Sequence, residues 1–477
     1  MQSFSTDPLS ELVQHICYCM LKIVAMNDLK NIPSIDRILK EPAIKKLLEY
    51  YSHDTVVKLV QQNVNELRNE IKRGKKPSSL KKLISNIELS AEEKWLVQPS
   101  PVINASGVIL HTNLGRSPIS DESIKAIVSS AGVYTDLEYD PQSGKRSNRQ
   151  KHVQDLINQV TGSDSSLVVN NNAAAALLCL TALAKGKEVI VSKGESVEIG
   201  GNFRIPDLLN QSGATLIEVG TTNRTYLSDY QESITENTGA ILIVHTSNFR
   251  KIGFTHNPSV KELAELGHHH NIPVLNDLGS GTLIDTGKFG LNSEPTVQES
   301  LGDDVDLTFF SGDKLLGGPQ SGIILGSQIL IDKLSKHPLA RALRIDKLNL
   351  TVLHSTLLHY ISNEPLKKIP IWAMISTDLP EIKRRTNTWL KNSDVQGKVM
   401  KSKSTIGGGS LPGEVLDTYV LSISPKTVSA NKITASLRSY KTPIISRIEA
   451  DQVILDARTV LPAQDDIVIQ ALKELTI

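Results

Sequence analysis

Aromatic side chains are scarce: 7 Phe, 10 Tyr and 3 Trp amount to 4% of 477 residues. Any core must therefore be mainly aliphatic. Cysteine is scarcer still. Cys17, Cys19 and Cys179 provide no disulfide framework, as expected of a chain held in a reducing cytoplasm. Cys17 and Cys19 lie close together with no second pair, which argues against a zinc site. Net charge is nearly absent: 52 Lys and Arg against 51 Asp and Glu leave +1. That excludes a chain that is a basic nucleic-acid binder throughout. No apolar run reaches the length of a membrane span. The apolar stretch 16–26 follows acids and lacks a basic flank, so no signal peptide is expected. Internal repeats and low-complexity tracts are missing too.

What is present is ordinary in bulk, with 39% hydrophobic and 22% charged residues, and long enough for roughly two or three domains. Residues 32–75 predict helices, with apolar positions at Ile35, Ile38 and Leu39, then Leu47 and Leu48, then Val56, Val57 and Val60. GKKPSS, 74–79, reads as a linker. It lies within RNEIKRGKKPSSLKK, 68–82, which holds seven Lys or Arg and one acid. Two readings stand for this run, a solvated helix end or a contact for a phosphate backbone.

From about residue 100 to 330, strand and helix patterns alternate. Expected strands are Leu167–Asn170, Glu188–Ser192, Thr215–Val219, Ala240–Thr246, Val274–Asp277, Leu307–Phe310 and Ile323–Leu325, with helices at 173–184 and 259–270. Such alternation implies an α/β fold, a mostly parallel sheet with right-handed crossovers. Ligands then sit at the carboxyl ends of the strands. Helices follow, then a smaller α/β segment from about residue 400, with strands near 417–423 and 452–456. His268, His269 and His270 fall in a predicted helix. Adjacent helical residues point about 100° apart, so the three cannot converge on a metal, and no metal site is expected.

The richest stretch is DLTFFSGDKLLGGPQSGIILG, 306–326. A buried strand breaks into Ser-Gly-Asp-Lys, two glycines and a proline before a second apolar run. A lysine on such a turn suits a Schiff base with an aldehyde cofactor; the other reading is a surface turn whose Lys faces water. Upstream, VLNDLGSG ends an apolar run in Asp277, placed either to hold a pyridinium nitrogen protonated or to cap a turn. SLVVNNNAAAALLCLTAL, 166–183, reads as strand, turn and helix. Its helix would open on the backbone N–H groups of Asn171, Asn172 and Ala173, a place for phosphate. Ser311, three residues before Lys314, offers a hydroxyl to the same phosphate. His245 ends AILIVHT at the same level, either touching the cofactor or capping the strand. In this order the elements describe a site for pyridoxal 5'-phosphate.

The strings GDKLLGGPQSG, NNNAAA, VEIGGNFRIP, INASGVILHTNLGRSP and GGGSLPG resemble bacterial L-seryl-tRNA(Sec) selenium transferase, or selenocysteine synthase, from about Ile32 nearly to the C-terminus. The resemblance implies a fold-type-I pyridoxal-phosphate transferase with helices on both faces of its sheet, a helical N-terminal domain and a small α/β C-terminal domain. It divides the chain into an extension of unassigned role (1–31), a helical tRNA-binding domain (32–78), the catalytic core (79–350) and a small C-terminal domain (351–477). It turns the basic run at 68–82 toward tRNA.

The implied reaction converts serine carried on tRNA(Sec) into selenocysteine. Lys314 takes the α-proton, the β-hydroxyl leaves and selenium from selenophosphate adds. The resemblance assigns selenophosphate to Arg116, Arg341 and Arg344, makes Asp313 an assistant in proton transfer, and adds Arg146 and Arg149 as further candidates. It also implies a cytoplasmic homo-oligomer, at least a dimer and by family a decamer. Ser147 stands where the family usually has glycine, and a tight turn there would suffer if it needs positive φ. TGSDSS, 161–166, also departs from the family pattern. Two competing functions are a pyridoxal-phosphate enzyme acting on a free amino acid, against which the basic N-terminal run argues, and a tRNA-binding protein with a dead cofactor site, against which Lys314, Asp277 and Ser311 argue.

Overall fold

The computed structural model describes residues 29, 32–200, 203–425 and 427–475. The expected N-terminal extension, with Cys17 and Cys19, lies outside the described residues apart from Leu29.

The chain forms two compact units, Met1–Pro101 and Val102–Ile477. In the first, helices Ile35–Leu39, Pro42–Tyr50, His53–Lys72 and Leu80–Trp95 enclose one aliphatic core. Ser34 and Ser79 cap two of them through their hydroxyls, satisfying amides left free at helix starts. The residues 74–79 that read as a linker join two helices of this same unit. The unit therefore runs past residue 78. Leu83, Ile87 and Ala91 of the fourth helix complete the core begun by Val56, Val60, Val64 and Leu67. All seven cations of the basic run are exposed.

The second unit centres on a seven-stranded sheet: β1 (Ser165–Val169), β2 (Glu188–Ser192), β3 (Thr215–Val219), β4 (Thr238–Val244), β5 (Val274–Gly279), β6 (Leu307–Ser311) and β7 (Gly322–Gly326). Their spatial order is β3-β2-β4-β5-β6-β7-β1. The pairs β3–β2, β2–β4, β4–β5 and β5–β6 are parallel; β7 runs antiparallel between β6 and β1. Alternating residues feed opposite faces. Leu167, Val169, Val191, Leu242, Leu275 and Phe309 enter one core. Val168, Phe310 and Ile323 enter a second, and Ile190, Ile241 and Val274 a third. Both faces are thus covered, which is why these strands read as unbroken apolar runs. Observed strand bounds fall within a few residues of those expected.

A smaller five-stranded sheet follows the order Arg447–Glu449, Gln452–Asp456, Val415–Ile423, Gly397–Gly407 and Val108–Leu110. Its last strand comes from the opposite end of the unit. Ile103–Asn104 likewise pairs with Ile444–Ile445, and Ile103 and Ala105 enter the C-terminal core. Helix Lys347–Ile361 runs across the expected boundary at residue 350, so the C-terminal layer is not a sequence-contiguous domain. Among the described residues no helix is long and apolar enough to cross a membrane.

Trp372 ties the helical segment to the lysine turn. Its ring is fully buried. Its Nε1 donates to the Leu315 carbonyl at 2.9 Å and to Tyr360 Oη at 3.0 Å, while Tyr360 Oη donates to the Leu316 carbonyl at 2.8 Å. Trp372→Phe leaves a buried carbonyl without its donor, a cost of about 1–3 kcal/mol. Thermal unfolding of this variant beside the wild type should show a lower midpoint; an unchanged midpoint would remove Trp372 as a fastener of the turn.

Candidate active site

Parallel direction brings the carboxyl ends of β1, β4, β5 and β6 to one edge of the sheet. Register then sets what stands there. Asp277 on β5 lies beside Val244 on β4, and Ser311 on β6 pairs with Gly322, which faces Val169 on β1. The edge opens into a cavity of about 460 Å³ whose lining includes Arg116, Asn172, His245, Asp277, Asp313 and Lys314. Asn171, Ala173 and Ser311 also line it.

The turn after β6 is held by its own backbone. Gly312 N–H donates to Ser321, Gly318 N–H to Gly312 and Leu315 N–H to Ser280. Lys314 is thereby only 5% exposed, and Asp277 6%. The surface-turn reading of Lys314 is excluded by that burial. Among the described residues the amine has no hydrogen bond or ion pair. Asp277 is better held: its Oδ1 accepts from Asn172 Nδ2 at 2.8 Å and from Gly279 N–H at 3.0 Å. Burial raises the Asp277 pKa, opposed by Asn172 and then Lys314. Burial likewise pulls Lys314 below the usual lysine value; Asp277 opposes this and Arg116 adds to it.

An amine and a carboxylate buried in one cavity without pairing are costly, unless the space between them takes a group that engages both. Pyridoxal phosphate fits. Its aldehyde suits Lys314 and its ring nitrogen suits Asp277. Its phosphate suits the helix Asn172–Ala184, capped by Asn171 Oδ1 accepting from Ala174 N–H at 2.8 Å.

Arg116 follows a short 3₁₀ turn, Thr112–Leu114, and adopts φ 59°, a left-handed conformation costing roughly 1–2 kcal/mol for a side chain with Cβ. Its Nη1 donates to Asp313 Oδ2 at 2.8 Å, and its Nε is buried without a partner. His245 faces the cavity, with Nε2 3.2 Å from Glu294 Oε1, and its backbone N–H donates to the Asp277 carbonyl at 2.9 Å.

The remaining arginines of the sequence reading do not line this cavity. Arg341 and Arg344 are exposed. Arg344 lies 3.7 Å from Glu138, Arg146 lies 3.4 Å from it, and Arg149 donates to it through Nε at 2.9 Å. Arg149 is buried and also bonds the Ile345 carbonyl, a fastening role. Ser147 is not among the residues with positive φ; Gly144, at φ 68°, is. The turn therefore tolerates a side chain at 147. His268 sits near Asp304 and Asp306, and no metal-binding group of three ligands occurs among the described residues.

Several neighbours escaped the sequence reading. Gly409 of GGGSLPG has φ 88°, and a Cβ there would lie 2.9 Å from Lys314 Cε and 3.0 Å from its Nζ. Three successive glycines were a signal of close backbone approach. Thr112 and Gln320, inside the quoted strings but not singled out, and Ser247, outside any of them, also line the cavity. Glu195 lies under β4, accepting from Val244 N–H at 2.9 Å and Asn257 Nδ2 at 3.2 Å. Burial pushes its pKa up to about 7.

The opposed charges around Lys314 make its titration testable. Asp277 favours the ammonium form and Arg116 the neutral amine. The pH midpoint for trapping Lys314 with pyridoxal phosphate and borohydride, read by mass spectrometry, should fall in Asp277→Asn and rise in Arg116→Met. Equal midpoints in all three proteins would contradict the electrostatic account.

A family model described as L-seryl-tRNA selenium transferase matches residues 102–461, and one described as selenocysteine synthase N terminal matches 29–68. The L-seryl-tRNA(Sec) selenium transferase of Clostridium botulinum (strain Okra / Type B1) is 46% identical over 456 residues, spanning 94% of this chain and 98% of the relative. That of Alkaliphilus oremlandii (strain OhILAs) is 44% identical, spanning 93% and 98%. A solved D-glucosaminate-6-phosphate ammonia-lyase superposes with a TM-score of 0.54 at 18% identity, over 79% of this chain and 95% of its own, a likeness of fold. With both family models matched and near-full-length relatives at this identity, the chain belongs to the L-seryl-tRNA selenium transferase family.

Proposed function

We propose that this chain converts serine esterified to tRNA(Sec) into selenocysteine, with pyridoxal phosphate as cofactor and selenophosphate as donor. The observation that carries the reading is the convergence of Lys314, Asp277, Asn172 and the Arg116–Asp313 pair on one buried cavity. Bound pyridoxal phosphate supplies an electron sink for the pair left when the α-proton departs.

The residues divide the remaining work. Asp277, aligned by Asn172 and Gly279, holds a proton at the ring nitrogen. Lys314 would hold the cofactor's aldehyde, and its amine is placed to move the α-proton; burial favours its neutral, basic form. Asn171, Asn172 and Ala173 present backbone N–H groups to phosphate, and Ser311 its hydroxyl. His245, with Glu294 beside its Nε2, lines the same cavity and would contact the cofactor. Arg116 offers a buried, unpartnered Nε to the selenium-bearing anion, and Asp313, which steadies Arg116, would pass a proton to the departing β-hydroxyl oxygen. The exposed basic run at 68–82 meets the tRNA backbone. The cytoplasm is the compartment this assigns, where charged tRNA and reduced thiols coexist.

Arg341 and Arg344 line no part of this chain's own cavity, so their assignment to selenophosphate requires a second copy to supply them. A homo-oligomer, at least a dimer and by family resemblance a decamer, meets that requirement.

The test is turnover of radiolabelled seryl-tRNA(Sec) with selenophosphate, identifying the amino acid after hydrolysis. Selenocysteine is expected from the wild type and none from Lys314→Ala. Unchanged serine from cofactor-loaded wild type would instead favour a free amino acid as substrate. Separately, co-expressed Lys314→Ala and Arg341→Ala/Arg344→Ala chains should regain activity that each lacks alone. No recovery on mixing would overturn the shared assignment of those arginines.

A further inference from the structure

Glu294 is only 4% exposed. Its Oε1 is buried and makes no hydrogen bond among the described residues. The group that faces it is His245 Nε2, 3.2 Å away but not aligned as a hydrogen bond. The loop that carries Glu294 is anchored without this carboxylate. Its N–H donates to Thr286 Oγ1 at 2.9 Å, Thr286 Oγ1 donates to the Asn292 carbonyl at 2.6 Å, and Asn292 N–H donates to Glu414 at 2.9 Å. A buried carboxylate lacking donors is costly, and a fastening role would not leave it so.

The other charged groups around His245 are already engaged. Glu195 shares a small cavity of about 180 Å³ with it, but accepts from Val244 N–H and Asn257 Nδ2, and Lys251 acts on it. Arg116 pairs with Asp313, and Arg250 with Glu414. Asp277 and Lys314 face the ring nitrogen and the aldehyde of the cofactor. Glu294 is the carboxylate left to act on the imidazole. Sheet order then decides what His245 can meet. β4 stands on one side of β5 and β6; β1, with the helix Asn172–Ala184 that follows it, stands on the other. Pyridoxal phosphate carries its phosphate and its phenolic oxygen on opposite flanks of the line from aldehyde carbon to ring nitrogen. With that line between Lys314 and Asp277 and the phosphate at the helix, the phenolic oxygen turns toward the end of β4, where His245 stands.

We propose that Glu294 is a positioning residue that orients His245 as the proton carrier for the cofactor's phenolic oxygen. This rests on pyridoxal phosphate as the cofactor and not on the identity of the substrate. Glu294 fixes Nε2 as a protonated nitrogen, as a carboxylate does wherever it accepts from an imidazole N–H. The proton of the phenol passes to the other ring nitrogen, leaving a phenolate beside an imidazolium whose Nε2–H stays with Glu294. No further reactant is needed. A phenolate held in this way draws electron density from the ring and makes the lysine nitrogen joined to it less basic.

The test titrates the visible absorbance of the cofactor-loaded, full-length protein with pH. The wild type is compared with His245→Gln, Glu294→Gln, Glu294→Asp and the double variant His245→Gln/Glu294→Gln. Removing the imidazolium makes the lysine nitrogen more basic, so His245→Gln should raise the midpoint by on the order of one unit. Glu294→Gln should also raise it, by discharging His245. Added to His245→Gln, the same change removes only a negative charge and should lower the midpoint. That reversal of sign is the signature of a carboxylate acting through the imidazole. Glu294→Asp keeps the charge but withdraws it from Nε2, and should fall between the wild type and Glu294→Gln. It decides the outcome if Glu294→Gln does not fold.

Equal midpoints, or no titration in any of the proteins, overturn the proposal. So does a shift of the same sign with and without His245, the mark of a carboxylate that acts on the cofactor directly. A lower melting temperature with an unmoved midpoint overturns it too, by making Glu294 a fastener. Neither tRNA nor a selenium donor enters the measurement, so this assignment and the proposed reaction fail separately.

Discussion

The buried but unpaired amine and carboxylate of Lys314 and Asp277 are the constraint around which the catalytic unit is arranged. Neither side chain would remain deep in a dry cleft unaided, because each charged form loses its hydration there. The fold holds them by different means. Asp277 is fixed by Asn172 and the Gly279 N–H, while Lys314 is fixed through its backbone, in a turn knit to Ser280 and Ser321. The turn is fastened from behind by Trp372 and Tyr360. Space is left between the two groups, and that space has the chemistry of the cofactor.

This arrangement explains why distant parts of the chain meet at one point. Asn172 comes from the helix after β1, Asp277 from β5, Lys314 from beyond β6, Arg116 from before the sheet and Gly409 from well after it. A parallel sheet gathers strand ends at one edge, and the second sheet, built from both ends of the unit, brings in Gly409 near Lys314. The glycine lets backbone approach the amine where any Cβ would collide.

Charge is distributed with the same economy. The chain is nearly neutral overall, at +1, yet its cations gather where an anion is to be met. The exposed run at 68–82 and Arg116, which pairs with Asp313 but keeps its Nε unpartnered, are two such places. Arg149, by contrast, is spent on Glu138 and a backbone carbonyl, which marks it as a fastener despite its family-like surroundings.

The amino-acid sequence by itself determined the α/β class, all seven strands of the central sheet, and the identities of Lys314, Asp277, Asn171, Asn172 and Ser311 as neighbours of one site. These were legible because buried parallel strands need continuous apolar runs and because reactive side chains follow those runs directly. The sequence could not disclose partnerships that depend on register or on chain return. Val108–Leu110 joining a sheet otherwise made after residue 396, Gly409 lying on Lys314, Arg116 pairing with Asp313, and the division of the arginines between cavity and surface were decided only in three dimensions. Local periodicity records which face of an element is apolar. It does not record which distant element will cover that face, since non-local contacts are specified by the packing of the whole core rather than by any one segment.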